Sequence, residues 1–356
     1  MRSSTAIGTT TFPLRGLSSW LSVPALGLGS PVSRNRVNSL KASSFRAQPT
    51  SLAHSRHIAP ATSMSFQRCE SGPSEVESCE DPCSGSIKCQ MQTIGGSTAG
   101  AWVSIQNKRR LNSMNTQLLK AFTAVLHRLA LRDDISFVIL SGGPLPNPKA
   151  AFCAGADIRE MSNLKSAREA EGFIQNVHDA CQAIRDLPVV TIASIQGLTL
   201  GAGLELAASC DFRYATANSL FGMPETKLGI PSVVQARLLA NIVGWQKTKR
   251  LVYFGETYDA KAVHSWGLVD DVFDSVEDLD RCVAEASKSV FRNGPEAMRA
   301  QKRLVRLWEE SGLVSGITAG IESFADMFKD GGVEPKKYMH QFLERRKRTK
   351  ELQDKR

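Results

Sequence analysis

Three short segments of this 356-residue chain join chemistry-bearing side chains to residues small enough for a ligand to approach the backbone. The first is Ala151-Phe152-Cys153-Ala154-Gly155-Ala156-Asp157-Ile158. Its small residues permit close approach, and a helix expected from Ile158 onward leaves N–H groups at its start to point into a cleft. The second is Gln196-Gly197-Leu198-Thr199-Leu200-Gly201-Ala202-Gly203-Leu204-Glu205-Leu206. Here a buried strand runs through a Gly-Ala-Gly turn into a helix, which exposes another backbone N–H. Glu205 falls in the first turn of that helix among apolar neighbours, and taken singly it complements the helix dipole. The third is Phe221-Gly222-Met223-Pro224-Glu225-Thr226-Lys227-Leu228-Gly229-Ile230-Pro231, which puts Glu225 in a loop between apolar flanks. Taken singly, it reads as a solvated loop residue.

The elements that must hold these segments follow from apolar periodicity. Asn115–Arg132 carries Leu118, Leu119, Phe122, Val125, Leu126 and Leu129 at helical spacing. Ser166–Arg185 reads as a second helix and Gly201–Ser209 as a third. Strands are expected at Ala99–Gln106, Ile135–Leu140, Val189–Ile195, Phe212–Ala215 and Leu268–Phe273. From Ser275 to about Arg348 the pattern is helical with Gly breaks. Short strands alternating with helices, followed by a helical tail, define an α/β body with an α-helical C-terminal module.

Charge is unevenly spread. Residues 1–69 contain eight Lys/Arg and no acid, which leaves 36 basic and 35 acidic residues in the remainder. A near-neutral body gives no electrostatic case for nucleic acid as a partner. The Arg- and Ser-rich, acid-free segment is what a mitochondrial transit peptide looks like, so the expected location is the mitochondrial matrix. The terminal Asp354-Lys355-Arg356 is unlike the peroxisomal tripeptide. The expected organisation is a leader over 1–70, a linker over 71–92, a core over 93–274, a helical module over 275–348 and a tail over 349–356. No stretch is long and apolar enough to span a membrane. The cysteines at 69, 79, 83 and 89 lack the paired spacing of a zinc site, and the six histidines are scattered, so no metal is expected. Cys153, Cys181 and Cys210 read as small core residues.

Taken together, and in this order, the three segments resemble the enoyl-CoA hydratase/isomerase (crotonase) superfamily. Cys210-Asp211-Phe212-Arg213-Tyr214-Ala215 matches a further stretch of its pattern. So do Gly255-Glu256-Thr257-Tyr258-Asp259-Ala260-Lys261-Ala262 and Trp266-Gly267-Leu268-Val269. The resemblance runs from about Ala99 to Arg348. It implies a ClpP-like spiral of ββα turns and a helical C-terminal module that trimerises, commonly into a hexamer. It implies an acyl-CoA substrate, with coenzyme A as part of the substrate rather than a cofactor. By motif position, the N–H groups of Ala156 and Ala202 would stabilise a thioester enolate, each donor contributing on the order of 3 kcal/mol. Glu205 and Glu225, twenty residues apart, would hold and activate a water, with Glu225 giving the C2 proton and Glu205 acting on the water. Arg109, Arg110, Ala154, Asp157 and Ile158 would border CoA, and Phe342 and Arg345 would reach the CoA of a neighbouring subunit.

Two departures from the family pattern stand out. After Pro231 the usual Gly-rich run is replaced by a shorter Ser232-Val233-Val234-Gln235-Ala236-Arg237-Leu238, and Lys108 stands where Pro is expected. The first alters the wall beside the acyl chain and water, and leaves a branched or functionalised acyl group open, including one from leucine breakdown or secondary metabolism. The rival readings are a Δ3-Δ2 enoyl isomerase with one dominant glutamate, an RNA-binding homologue using Lys120, His127, Arg128 and Arg132, and a silent scaffold.

Overall fold

The chain enters its main sheet through antiparallel strands. β1 (Phe66–Arg68) and β2 (Glu75–Ser78) both pair with β3 (Ser86–Ile94), which turns at Gly95-Gly96 into β4 (Ser97–Gln106). The structure, a computed structural model, describes residues 66–68, 75–78, 85–145 and 150–353, all within one unit spanning Pro60–Arg356. These strands correct two sequence expectations. Part of the proposed linker 71–92 is sheet, and β1 lies inside the proposed leader 1–70. The rest of the leader lies outside the described residues. Composition hides β3 because it is half-buried: Ile87 and Cys89 face inward while Lys88 and Gln90 alternate with them.

After α1 (Thr116–Ala130) the chain repeats one step three times. β5 (Phe137–Gly142) joins the large sheet, β6 (Ala151–Cys153) joins a small one, and α2 (Ile158–Ser162) and α3 (Ala167–Asp186) follow. The second step is β7 (Val190–Ile195), β8 (Leu198–Leu200) and α4 (Ala202–Ala208). The third is β9 (Phe212–Thr216) and β10 (Leu220–Gly222), then two 3-10 turns (Glu225–Leu228 and Val234–Leu238) and α5 (Leu239–Phe254). β11 (Thr257–Asp259), α6 (Ala260–Ser265) and β12 (Asp271–Phe273) complete the two sheets. The large sheet runs β1-β3-β4-β5-β7-β9-β12, with β2 beside β3, and is parallel from β4 onward; the small sheet runs β11-β10-β8-β6.

β5 opens on the apolar run Phe137–Leu140, and every residue of β7 is buried, Thr191 and Ser194 included, because the large sheet is covered on both faces. One face packs with α1, α3 and α4 through residues such as Phe122, Ile184 and Leu204. On the other face Trp102, Phe137 and Ile139 meet Leu279 and Val283 of α7 (Val276–Phe291). Caps set the helix starts: the Asn115, Ser166 and Ser275 side chains accept from Leu118, Glu169 and Asp278 N–H, respectively. The strands β6, β8 and β10 are three residues each, too short for alternation to reveal. They matter most, because the three candidate segments hang from their ends.

The last helices are α8 (Pro295–Glu310), α9 (Leu313–Asp326) and α10 (Val333–Gln353). α10 runs into the proposed tail 349–356. α8 is tied to the body by Lys302 on Asp211 at 2.5 Å and by Arg299 donating to the carbonyls of Arg132 and Ile135. α9 leaves Leu313, Ile317 and Phe324 exposed.

Candidate active site

β6 ends in a turn that Gly155 makes possible, at φ +106°. Met114 N–H donates to Gly155 O and Asp157 N–H donates to Met114 O, which pins the peptides on either side of Ala156. Ala156 N–H itself has no acceptor among the described residues. Asp157 is buried; it accepts from the N–H groups of Arg159 and Glu160 at the start of α2, and pairs with Arg110 at 2.5 Å.

β8 ends in Gly201, at φ +52° and ψ −124°, a conformation that other residues rarely adopt. Gly201 N–H donates to Gly222 O, and its carbonyl accepts from Leu204 and Glu205. Ala202 is the first residue of α4, so its N–H has no partner within the helix, and none elsewhere among the described residues. The two turns lie against each other: a Cβ on Gly155 would sit 3.8 Å from Ala202 N. A Cβ on Gly203 would lie 2.1 Å from Cys153 O, so α4 packs hard onto the end of β6.

The carboxyl groups arrive from two directions. Glu225 opens the 3-10 turn after β10, and a Cβ on Gly201 would meet its Oε1 at 2.6 Å. Glu225 therefore stands one residue from the Ala202 amide. Glu205 lies deeper, only 4% exposed, and its Oε1 accepts from Ala236 N–H at 2.8 Å. Burial pushes Glu205 up to about 8; the Ala236 bond pulls the other way, and the nearby Glu225 charge adds to the rise. Burial raises Glu225 as well, opposed by its own backbone N–H and by the Ser232 hydroxyl, which donates to Oε2 at 2.9 Å. Both carboxyls line one cavity of about 90 Å³, together with Ala156 and Ala202.

Ala154 and Ile158, expected to border CoA, line this cavity; Ile158 is 55% exposed. Asp157 and Arg110 do not line it. They hold each other, and so stabilise the turn that presents Ala156. Arg109 lies in the adjacent 3-10 turn Lys108–Arg110. Phe342 and Arg345 lie on α10, exposed and away from the cavity within this chain. Residue-by-residue reading missed Ser232 and Ala236 as partners of the two carboxyls. The lost Gly-rich run was the signal, but which atoms it would bring to Glu205 and Glu225 depends on a turn with Val234 at φ +39°. His178 bonds to Gln235 at 3.1 Å, just before Ala236.

Size does not single out this site. A cavity of about 320 Å³ lies between α8 and the body, but its charges are committed, Arg185 to Glu309 and Glu310, and Lys302 to Asp211. Burial keeps the thiols beneath the site neutral, with Cys153 and Cys210 pushed up to about 12. Among the described residues, no group of three or more His, Cys, Asp or Glu is placed to hold a metal ion, and no helix is long and apolar enough to cross a membrane.

The two-sheet αβ spiral with its helical C-terminal region is the crotonase fold, and residues 97–351 match the enoyl-CoA hydratase/isomerase family. The chain belongs to that family. It is 29% identical to the short-chain-enoyl-CoA hydratase of Clostridium acetobutylicum, over 69% of this chain and 92% of that one. It is 31% identical to the mitochondrial methylglutaconyl-CoA hydratase of Homo sapiens, over 58% of this chain and 60% of that one. The crystal structure of an enoyl-CoA hydratase from Bacillus anthracis superposes with a TM-score of 0.62 at 26% identity, covering 68% of this chain and 92% of that one.

Proposed function

We propose that the protein is an enoyl-CoA hydratase, adding water across the 2,3-double bond of an acyl-CoA thioester. The observation that carries this reading is the meeting, in one small cavity, of two acceptor-free amides and two carboxyls of raised pKa. The thioester oxygen lies between Ala156 N–H and Ala202 N–H, which hold the charge of the enolate as it forms. Glu225, next to Gly201, stands at C2, and Glu205 stands over the water that attacks C3.

Protons balance within the pair. In hydration Glu225 gives its proton to C2 while Glu205 takes one from the water, whose hydroxide bonds to C3. That leaves Glu205 neutral and Glu225 ionised, which is also the arrangement that burial favours. A proton then passes back from Glu205 to Glu225 through a bound water before the next turnover. The single carboxylate of a simple isomerase would have no such cycle.

Arg109 and the turn that Arg110 helps hold would flank the CoA phosphates. In a homotrimer or hexamer, the exposed Phe342 and Arg345 would reach the CoA of a neighbouring subunit. The acid-free N-terminus supports import into the mitochondrial matrix. Loss of enoyl absorbance with a panel of enoyl-CoAs tests the activity. Glu205→Gln and Glu225→Gln should each cut hydration by about 10²–10⁴-fold. If Glu205→Gln retains Δ3-Δ2 isomerisation at full rate while wild-type hydration is negligible, the protein is an isomerase.

A further inference from the structure

The cavity's wall bears on which acyl group it takes, and this inference rests on the hydratase reading above. Beyond the two glutamates, the lining is apolar: Met161 of α2, Ile174 and Val177 of α3, and Ile158, Ile230 and Val233, which remain 40–55% exposed. No Lys, Arg or His is among the described residues that line it. At about 90 Å³ it is far smaller than the roughly 300–1,000 Å³ of sites that enclose larger ligands. Val233 lines it where the sequence has lost its glycines. Ser232 is held on Glu225, so its hydroxyl is not free to turn toward a polar acyl group. Arg110 is committed to Asp157, and Arg159 and Lys227, each next in sequence to a lining residue, are exposed and do not line the cavity.

We propose that the site selects short, uncharged acyl groups and rejects acyl groups with a second carboxylate, with Val233 setting the length limit. The reason is desolvation. A distal carboxylate would enter an apolar wall with no cation to meet it, beside two groups that carry negative charge when ionised. The human relative's name specifies a glutaconyl group, which carries such a carboxylate. This chain would therefore differ from that relative in substrate despite their similarity.

The test compares crotonyl-CoA, trans-2-octenoyl-CoA and 3-methylglutaconyl-CoA on the full chain, and in parallel measures binding of butyryl-CoA and glutaryl-CoA by calorimetry. Expected is a kcat/KM for crotonyl-CoA about 100-fold or more above the other two, and butyryl-CoA binding at least tenfold tighter than glutaryl-CoA. Val233→Gly, with Val233→Ala as the milder replacement, should narrow the octenoyl deficit about tenfold and leave the methylglutaconyl deficit intact. A methylglutaconyl rate equal to or above the crotonyl rate, or glutaryl-CoA binding as tight as butyryl-CoA, overturns the selectivity. If no enoyl-CoA reacts, the hydratase reading fails, and the binding pair still decides the selectivity.

Discussion

Two parts of the site are built on different principles. The turns at Gly155-Ala156 and Gly201-Ala202 act through the backbone. Their geometry is held by positive-φ glycines, by Met114 bonding either side of Ala156, and by α4 pressed onto β6. The wall over Ser232–Ala236 acts through particular atoms, a hydroxyl on Glu225 and an amide on Glu205. A backbone device tolerates a change of side chain so long as the turn survives, which is why Ala at 202 keeps its N–H in place. A wall has no such freedom, because each substitution changes volume or hydrogen bonding.

The sharpest way to break this contrast is at Gly203. A methyl there would overlap Cys153 O, so Gly203→Ala should shift α4 and the Ala202 amide, lowering kcat by about 10²-fold with loss of stability of about 1–3 kcal/mol. Ala202→Gly, one residue away, should change kcat less than about threefold. Steady-state kinetics and thermal melts on the two variants check this, and equal effects would end the distinction.

Next in size is a stability effect at Glu205. Its carboxyl is ionised at lower pH in the unfolded chain than in the folded one, so between about 4.5 and 8 the folded state binds more protons and loses stability as pH rises. Glu205→Gln keeps an acceptor for Ala236 N–H and removes the charge. It should be more stable than wild type by a few kcal/mol at pH 8 and nearly equal to it at pH 4.5. Denaturant titrations at the two pH values decide; a gap that does not grow with pH contradicts the burial argument.

The smallest effect belongs to the wall. The Ser232 hydroxyl favours ionised Glu225, so Ser232→Ala should raise the Glu225 pKa. The acid limb of the kcat/KM profile should then move to higher pH, with kcat reduced less than about tenfold. The alkaline limb, set by loss of the Glu205 proton near pH 8, should stay in place. Because the groups are coupled, both limbs belong to the pair. An unmoved acid limb would reduce Ser232 to a spacer.

Much of this molecule was legible in the linear chain. Apolar spacing marked α1 and α3 to within a residue or two, because helices with one buried stripe repeat it over many turns. β5 and β7 were legible as compact, β-rich buried stretches at Ile135–Leu140 and Val189–Ile195. The motif order placed Ala156, Ala202, Glu205 and Glu225 in one family pattern, and all four line one cavity. Strands of three residues were not legible, nor was β3 with its polar outer positions, since a pattern of period two needs length and contrast.

Sequence by itself therefore determined the family, the near-neutral body and the residue types that meet in the cavity. Tertiary structure alone decided three things: that Asp157 and Arg110 hold each other, that Ser232 and Ala236 hold the two carboxyls, and that Glu205 is buried deeply enough to keep a proton near neutral pH. The physical reason is that hydrogen-bond partners and desolvation are set by atoms distant along the chain, such as those of Glu205 and Ala236, 31 positions apart, which no local spacing encodes.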